Sequence, residues 1–204
     1  MRGALQLSAA LVSLLLLQRF GAAASYQSPL DSLVLVCLAS HVFLFCVSAA
    51  YHSAPWLPVA KARMQRLDHS MIYVKIAGSI GPFAWLAFEP QDACLVMGLA
   101  WLVAAVGIIQ KVFLPHFPLK LSSFVQVAQA MLFVPILENL SARFGEADLS
   151  ALTLASVCYA IGAALFLLQR PRLWPGVFGY HELFHVFVVL GSGALGAGLL
   201  ELAG

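Results

Sequence analysis

Phe178-Gly-Tyr-His-Glu-Leu-Phe-His185 opens the last long apolar segment of the chain, about Tyr180 to Leu202, and sets two imidazoles four residues apart inside it. A segment of that length spans a bilayer, because about 20 apolar residues at roughly 1.5 Å each cover a hydrocarbon core of about 30 Å. On a helix His181 and His185 share one face. Two neutral imidazoles one turn apart suit a single divalent transition metal, and a helix held rigid in lipid keeps them in place. The stretch therefore predicts a membrane helix that carries part of a metal site.

The rest of the chain fits that setting. Of 204 residues, 62% are hydrophobic and 10% charged, a balance that a soluble domain of this size would not keep in solution. Seven apolar segments are legible: Ala4 to Ala24, Leu30 to Ala54, Asp68 to Phe88, Ala93 to Ile109, Leu121 to Leu140, Leu149 to Leu168 and Tyr180 to Leu202. The first also has the outline of a signal peptide, with Arg2 before it and Ala22-Ala-Ala24 behind, but reads better as a retained helix. Pro55 and Pro58 close the second segment, the third bends around Gly81-Pro82, and Pro135 kinks the fifth. Gln126 and Gln129 share a face of that fifth segment, which turns it toward the bundle interior. No fixed repeat or linker divides the chain, so the expectation is all-α: one seven-helix transmembrane domain over residues 1–204.

The basic residues assign the sides. Arg2, Lys61, Arg63, Arg66, Lys111, Lys120, Arg170 and Arg172 fall in one set of loops, and Arg19 and Arg143 in the other. Eight against two puts the N-terminus in the cytosol and the C-terminus outside, which requires an odd number of spans. The net charge of +2 is dispersed and carries no nucleic-acid signature. Cys37, Cys46, Cys94 and Cys158 lack metal or disulfide spacing and read as small hydrophobes.

With that topology the end of segment two and the starts of segments three and seven lie at one depth. Ser48, His52, Asp68, His181 and His185 then meet near the cytosolic face. Three histidines with a carboxylate make a ligand set suited to catalytic zinc, which takes three protein ligands and keeps a fourth position open. Taken singly these residues mean less: Asp68 alone reads as a helix N-cap, His52 as an interfacial residue and Ser48 as a back-bonded helix serine. His41, His69 and His116 read as structural; His41 is about 16 Å from His52 by helix rise.

His181-Glu-Leu-Phe-His185 also matches the zinc-protease string His-Glu-x-x-His, in which Glu182 would be the general base. Glu182 projects about 100° from His181, however, and can instead cap the helix start.

Ser48-Ala-Ala-Tyr-His52, Arg66-Leu-Asp-His-Ser-Met-Ile-Tyr73 with Ile76-Ala-Gly78 and Pro82-Phe83, and Gly176-Val-Phe-Gly-Tyr-His-Glu-Leu-Phe-His185 together resemble the hemolysin III family, the bacterial branch of the progestin and adipoQ receptors, in a wider group with the alkaline ceramidases. The resemblance implies seven helices, a zinc ion held by His52, His181 and His185, Asp68 on the zinc-bound water and Ser48 beside it. Lys75 stands where the family is usually apolar. The expected function is a zinc-dependent hydrolase of a lipid amide or ester in the bacterial inner membrane, with membrane lipid as its partner. The alternatives are a non-catalytic membrane-homeostasis sensor with structural zinc, an intramembrane protease, and a cytolytic pore, which the scarcity of polar lining disfavours.

Overall fold

The computed structural model describes residues 2–114, 118–171, 173–174 and 178–203, and among them the regular structure is helical apart from one isolated β-bridge. The helices are α1 (Arg2–Ala23), α2 (Pro29–Ser53), α3 (Pro58–Ala87), α4 (Pro90–Phe113), α5 (Leu119–Ala130), α6 (Phe133–Arg143), α7 (Glu146–Leu168) and α8 (Tyr180–Ala203). Six helical stretches among the described residues are long and apolar enough to cross a membrane: Gly3–Ala23, Pro29–Ser53, Pro90–Phe113, Leu121–Arg143, Ala147–Leu168 and Tyr180–Leu202. The chain divides into two compact units, Gly3–Arg143 and Phe144–Gly204.

In the first unit α3 is the helix with the most packing neighbours. It packs on α2, α4, α5 and α6. It is also the long helix left out of the six apolar stretches, since it carries Lys61, Arg63, Arg66, Asp68 and Lys75. The two facts have one cause: a helix wrapped by protein does not need a lipid-facing apolar surface. Tyr73, Ala77, Ile80, Phe83, Ala84 and Ala87 are fully buried.

α2 buries Val34, Cys37, Leu38, His41, Leu44, Phe45 and Ser48, a stripe at helical spacing, against α3. Small residues set the close approaches. A Cβ on Gly78 would meet the Ser40 side chain of α2, and one on Gly107 of α4 would fall 2.5 Å from the Tyr73 ring. Polar side chains then lock the contacts. Gln129 Nε2 of α5 donates to the carbonyls of Tyr73 at 3.2 Å and Ala100 at 2.9 Å, tying three helices, and Gln126 Nε2 donates to the His69 carbonyl at 3.2 Å. Tyr73 OH donates to the Ser122 carbonyl at 2.9 Å. These are the forces left to a bundle in lipid, where tails are as apolar as leucine and only packing and hydrogen bonds favour helix association.

Two boundaries differ from the sequence expectation. Residues 58–67, expected as a loop, begin α3. Pro58 stands in the first turn, where its missing N–H costs nothing, and Ala60, Lys61, Ala62, Arg63, Met64, Gln65, Arg66 and Leu67 are nearly all strong helix formers. The break expected at Pro135 falls at Met131–Leu132, because Pro135 cannot donate to the Met131 carbonyl, which takes the Val134 N–H at 3.0 Å instead. Pro82, by contrast, lies inside a continuous α3.

The second unit is an antiparallel pair. Gly162 of α7 faces Phe184 and Phe187, while Gly191 and Gly198 of α8 face the Tyr159 ring and Leu152. Tyr159 OH and Ser192 Oγ share a hydrogen bond of 2.9 Å. Of the glycines of α8, Gly191 and Gly198 thus make close helix contact, whereas Gly193 and Gly196 meet open space. Before α8, Trp174 and Phe178 form an isolated antiparallel bridge.

Gly107→Ala is expected to destabilise the first unit by about 1–3 kcal/mol, since the buried Tyr73 ring is held at its hydroxyl and cannot move aside. Gly98→Ala, where nothing lies within 4 Å, is the matched control and should be neutral or stabilise slightly. Thermal unfolding in detergent separates the two; equal midpoints would refute the packing account.

Candidate metal centre

α8 starts with Gly179 as the residue before its first turn, and the Glu182 carboxylate reaches back to accept the Gly179 N–H at 2.7 Å. This is the reciprocal half of a capping box, which satisfies a donor that the helix itself leaves open. The cap fixes where α8 begins and so which way His181 and His185 project. Their Nε2 atoms lie 3.1 Å apart and their rings are nearly perpendicular, with centroids at 4.7 Å. Two nitrogens bound to one tetrahedral zinc at about 2.0–2.1 Å would be roughly 3.3 Å apart, so the pair is already close to ligating separation. Phe166 of α7 lies 6.1 Å from the His181 ring and Phe184 lies 5.3 Å from that of His185, and His185 is buried. The aromatic wall limits water and leaves the imidazole nitrogens as the polar groups of this face.

In the first unit, His52 is in the last turn of α2 and Ser48 one turn before it on the same face. The His52 Nε2 atom is buried, and the Tyr51 ring packs on the imidazole at 4.6 Å. Asp68 is not a helix cap: it lies ten residues inside α3 and is 6% exposed. Ser48 is 2% exposed and lies beside the Asp68 carboxyl, near enough to act on it but outside the geometry of a formed hydrogen bond. Its hydroxyl has no hydrogen-bond partner among the described residues. A buried hydroxyl and a buried carboxyl side by side are expensive in a membrane protein unless they serve a bound group.

The remaining sequence candidates fall elsewhere. His41 Nδ1 bonds the Cys37 carbonyl at 2.8 Å, as befits a structural histidine, and His116 lies outside the described residues. Lys75 is buried in α3, close enough to Cys37 and His41 of α2 to act on them electrostatically. All four cysteines are free thiols, with Cys37 and Cys158 buried. The network through Tyr73, Ser122 and Gln129, which holds α3 in position, carries no sequence signature beyond the two glutamines, because it depends on backbone carbonyls of three helices.

Residues 2–194 match the family described as Haemolysin-III related. The chain belongs to this family. It is 27% identical over 173 residues to a protein named Hemolysin-3 homolog from Bacillus subtilis (strain 168), covering 85% of this chain and 78% of that one. Hemolysin-3 of Bacillus cereus is 29% identical over 157 residues, 75% of this chain and 67% of that protein. The Adiponectin receptor protein of Drosophila melanogaster is 27% identical over 76% of this chain, which spans 39% of that longer protein. Family and apolar helices together make this an integral inner-membrane protein.

The cap role of Glu182 has a direct consequence. Glu182→Gln, which can still accept the Gly179 N–H, should retain stability, whereas Glu182→Ala should cost about 0.5–2 kcal/mol in thermal unfolding. Equal loss in both variants would show that the carboxylate charge, and not the cap, is what matters.

Proposed function

We propose that the protein is a zinc-dependent hydrolase of a lipid amide or ester, built as one seven-helix domain over residues 1–204 with the N-terminus in the cytosol. His52, His181 and His185 are the ligands in this reading, three imidazoles whose donor chemistry suits one metal ion. The observation that carries the reading is the buried Ser48 and Asp68 pair, a hydroxyl and a carboxyl four and sixteen residues from a ligand histidine. Zinc suits three neutral imidazoles with an open fourth position and supplies Lewis acidity there. Asp68 orients the attacking water and takes its proton, and Ser48 donates a hydrogen bond to the oxygen on which charge develops. α3 is the seventh span: its 30 residues are more than long enough to cross, and its buried Asp68 and Lys75 are surrounded by protein and not by lipid. The odd count is what the eight-to-two distribution of basic residues requires.

A second reading is a receptor-like membrane sensor in which zinc pins α2 to α8 without turnover. The similarity to a protein named as an adiponectin receptor favours it. The protease reading has less support, since the Glu182 carboxylate is engaged at the helix start.

Elemental analysis of detergent-purified protein should find about one zinc per chain, lost in both His52→Ala and His181→Ala; loss in His181→Ala alone would exclude His52 as a ligand. In Asp68→Asn, zinc should stay bound while hydrolysis of a lipid amide falls by about 100-fold or more. Hydrolysis at the wild-type rate would remove Asp68 from the mechanism, and absence of turnover on any lipid amide or ester in the wild type would leave the sensor reading.

A further inference from the structure

α3 is longer than a membrane requires. Its 30 residues extend about 45 Å, against a hydrocarbon core of roughly 30 Å, an excess of about ten residues. The excess lies at the N-terminal end, where burial changes abruptly: Pro58, Val59, Lys61, Ala62, Arg63, Gln65 and Leu67 are exposed, and Asp68 is the first buried residue. This projecting stretch has a definite chemistry. It holds Lys61, Arg63 and Arg66, and no acidic residue occurs from Pro55 to Leu67. Among the described residues none of the three cations has an ion-pair partner.

The cations are not gathered on one face. Lys61 and Arg63 point about 200° apart around the helix, and Arg66 lies one turn beyond Arg63. A helix lying flat on the membrane would need its cations on one side, whereas a helix standing through the headgroup layer meets phosphates all round. Lys61 to Arg66 covers about 7.5 Å of rise, and the headgroup layer on each side of the core is roughly 5–8 Å thick. Trp56, just before the helix, folds back with its Nε1 donating to the Ala50 carbonyl of α2 at 3.0 Å, an aromatic at interface level.

We propose that residues 56–67 form a binding collar for anionic phospholipid headgroups, with Lys61, Arg63 and Arg66 each taking a phosphate. A soluble acidic protein would not need the collar to match the headgroup layer in height. The proposal rests on α3 as a membrane span, and it is independent of metal and of turnover.

Trp56 is the probe. A variant with Trp85→Phe, Trp101→Phe and Trp174→Phe, otherwise full length, is reconstituted in bilayers doped with brominated phosphatidylglycerol or brominated phosphatidylcholine, and quenching of Trp56 is measured. The anionic lipid should quench at a concentration about fivefold or more lower than the neutral lipid. That preference should shrink in 0.5 M salt, about a 4 Å screening length, and in the variant Lys61→Gln, Arg63→Gln, Arg66→Gln. Equal quenching by both lipids overturns the headgroup selectivity while leaving the span in place. No quenching by either shows that residues 56–67 do not stand at the interface, and fails with the seven-span reading itself. Because salt acts on the unmutated collar, a variant that misfolds does not decide the outcome.

Discussion

A helix carrying Asp68, Tyr73 and Lys75 can sit among membrane helices only if protein replaces lipid around it, because each polar group left facing hydrocarbon costs several kcal/mol. α3 meets that constraint with four neighbours and with hydrogen bonds that run to backbone as well as to side chains. Gln129 is central to this, since one amide nitrogen serves the carbonyls of both Tyr73 and Ala100. The glycines are the steric counterpart: Gly78 of α3 lets α2 approach, and Gly107 of α4 makes room for the Tyr73 ring. The position of Asp68 next to Ser48 follows from this packing and not from any local preference of either residue.

The histidine pair on α8 depends on a different and more local device. Its spacing is a property of any helix, but the pair faces one way because Glu182 caps the first turn and aromatic rings of α7 and α8 fill the flanks. A rigid, partly dry setting holds the two imidazole nitrogens 3.1 Å apart, at hydrogen-bonding distance. The same Glu182 supplies the string that resembles a protease motif. Its engagement with Gly179 shows how a short motif acquires its meaning from the turn it occupies.

Much of this was legible in the chain itself. Apolar runs of spanning length, proline and glycine punctuation, the inward-facing glutamines and the His181 and His185 spacing are local, and local patterns survive without tertiary information. Two readings went astray for compositional or local reasons. Residues 58–67 looked like a loop because two prolines and three cations precede an apolar run, although their helix propensity is high. The break near Pro135 fell four residues earlier, where the carbonyl it cannot serve finds another donor.

By itself the sequence determined that this is a helical membrane protein of the haemolysin-III related family and which ionisable residues are rare enough in its spans to matter. Composition and periodicity suffice for that, because a bilayer admits so few backbone solutions. Only the tertiary structure decided that α3 packs against four neighbours in its unit and that Ser48 lies against Asp68. Those facts depend on which side chains from distant parts of the chain fill the same small volume, and no local pattern encodes that choice.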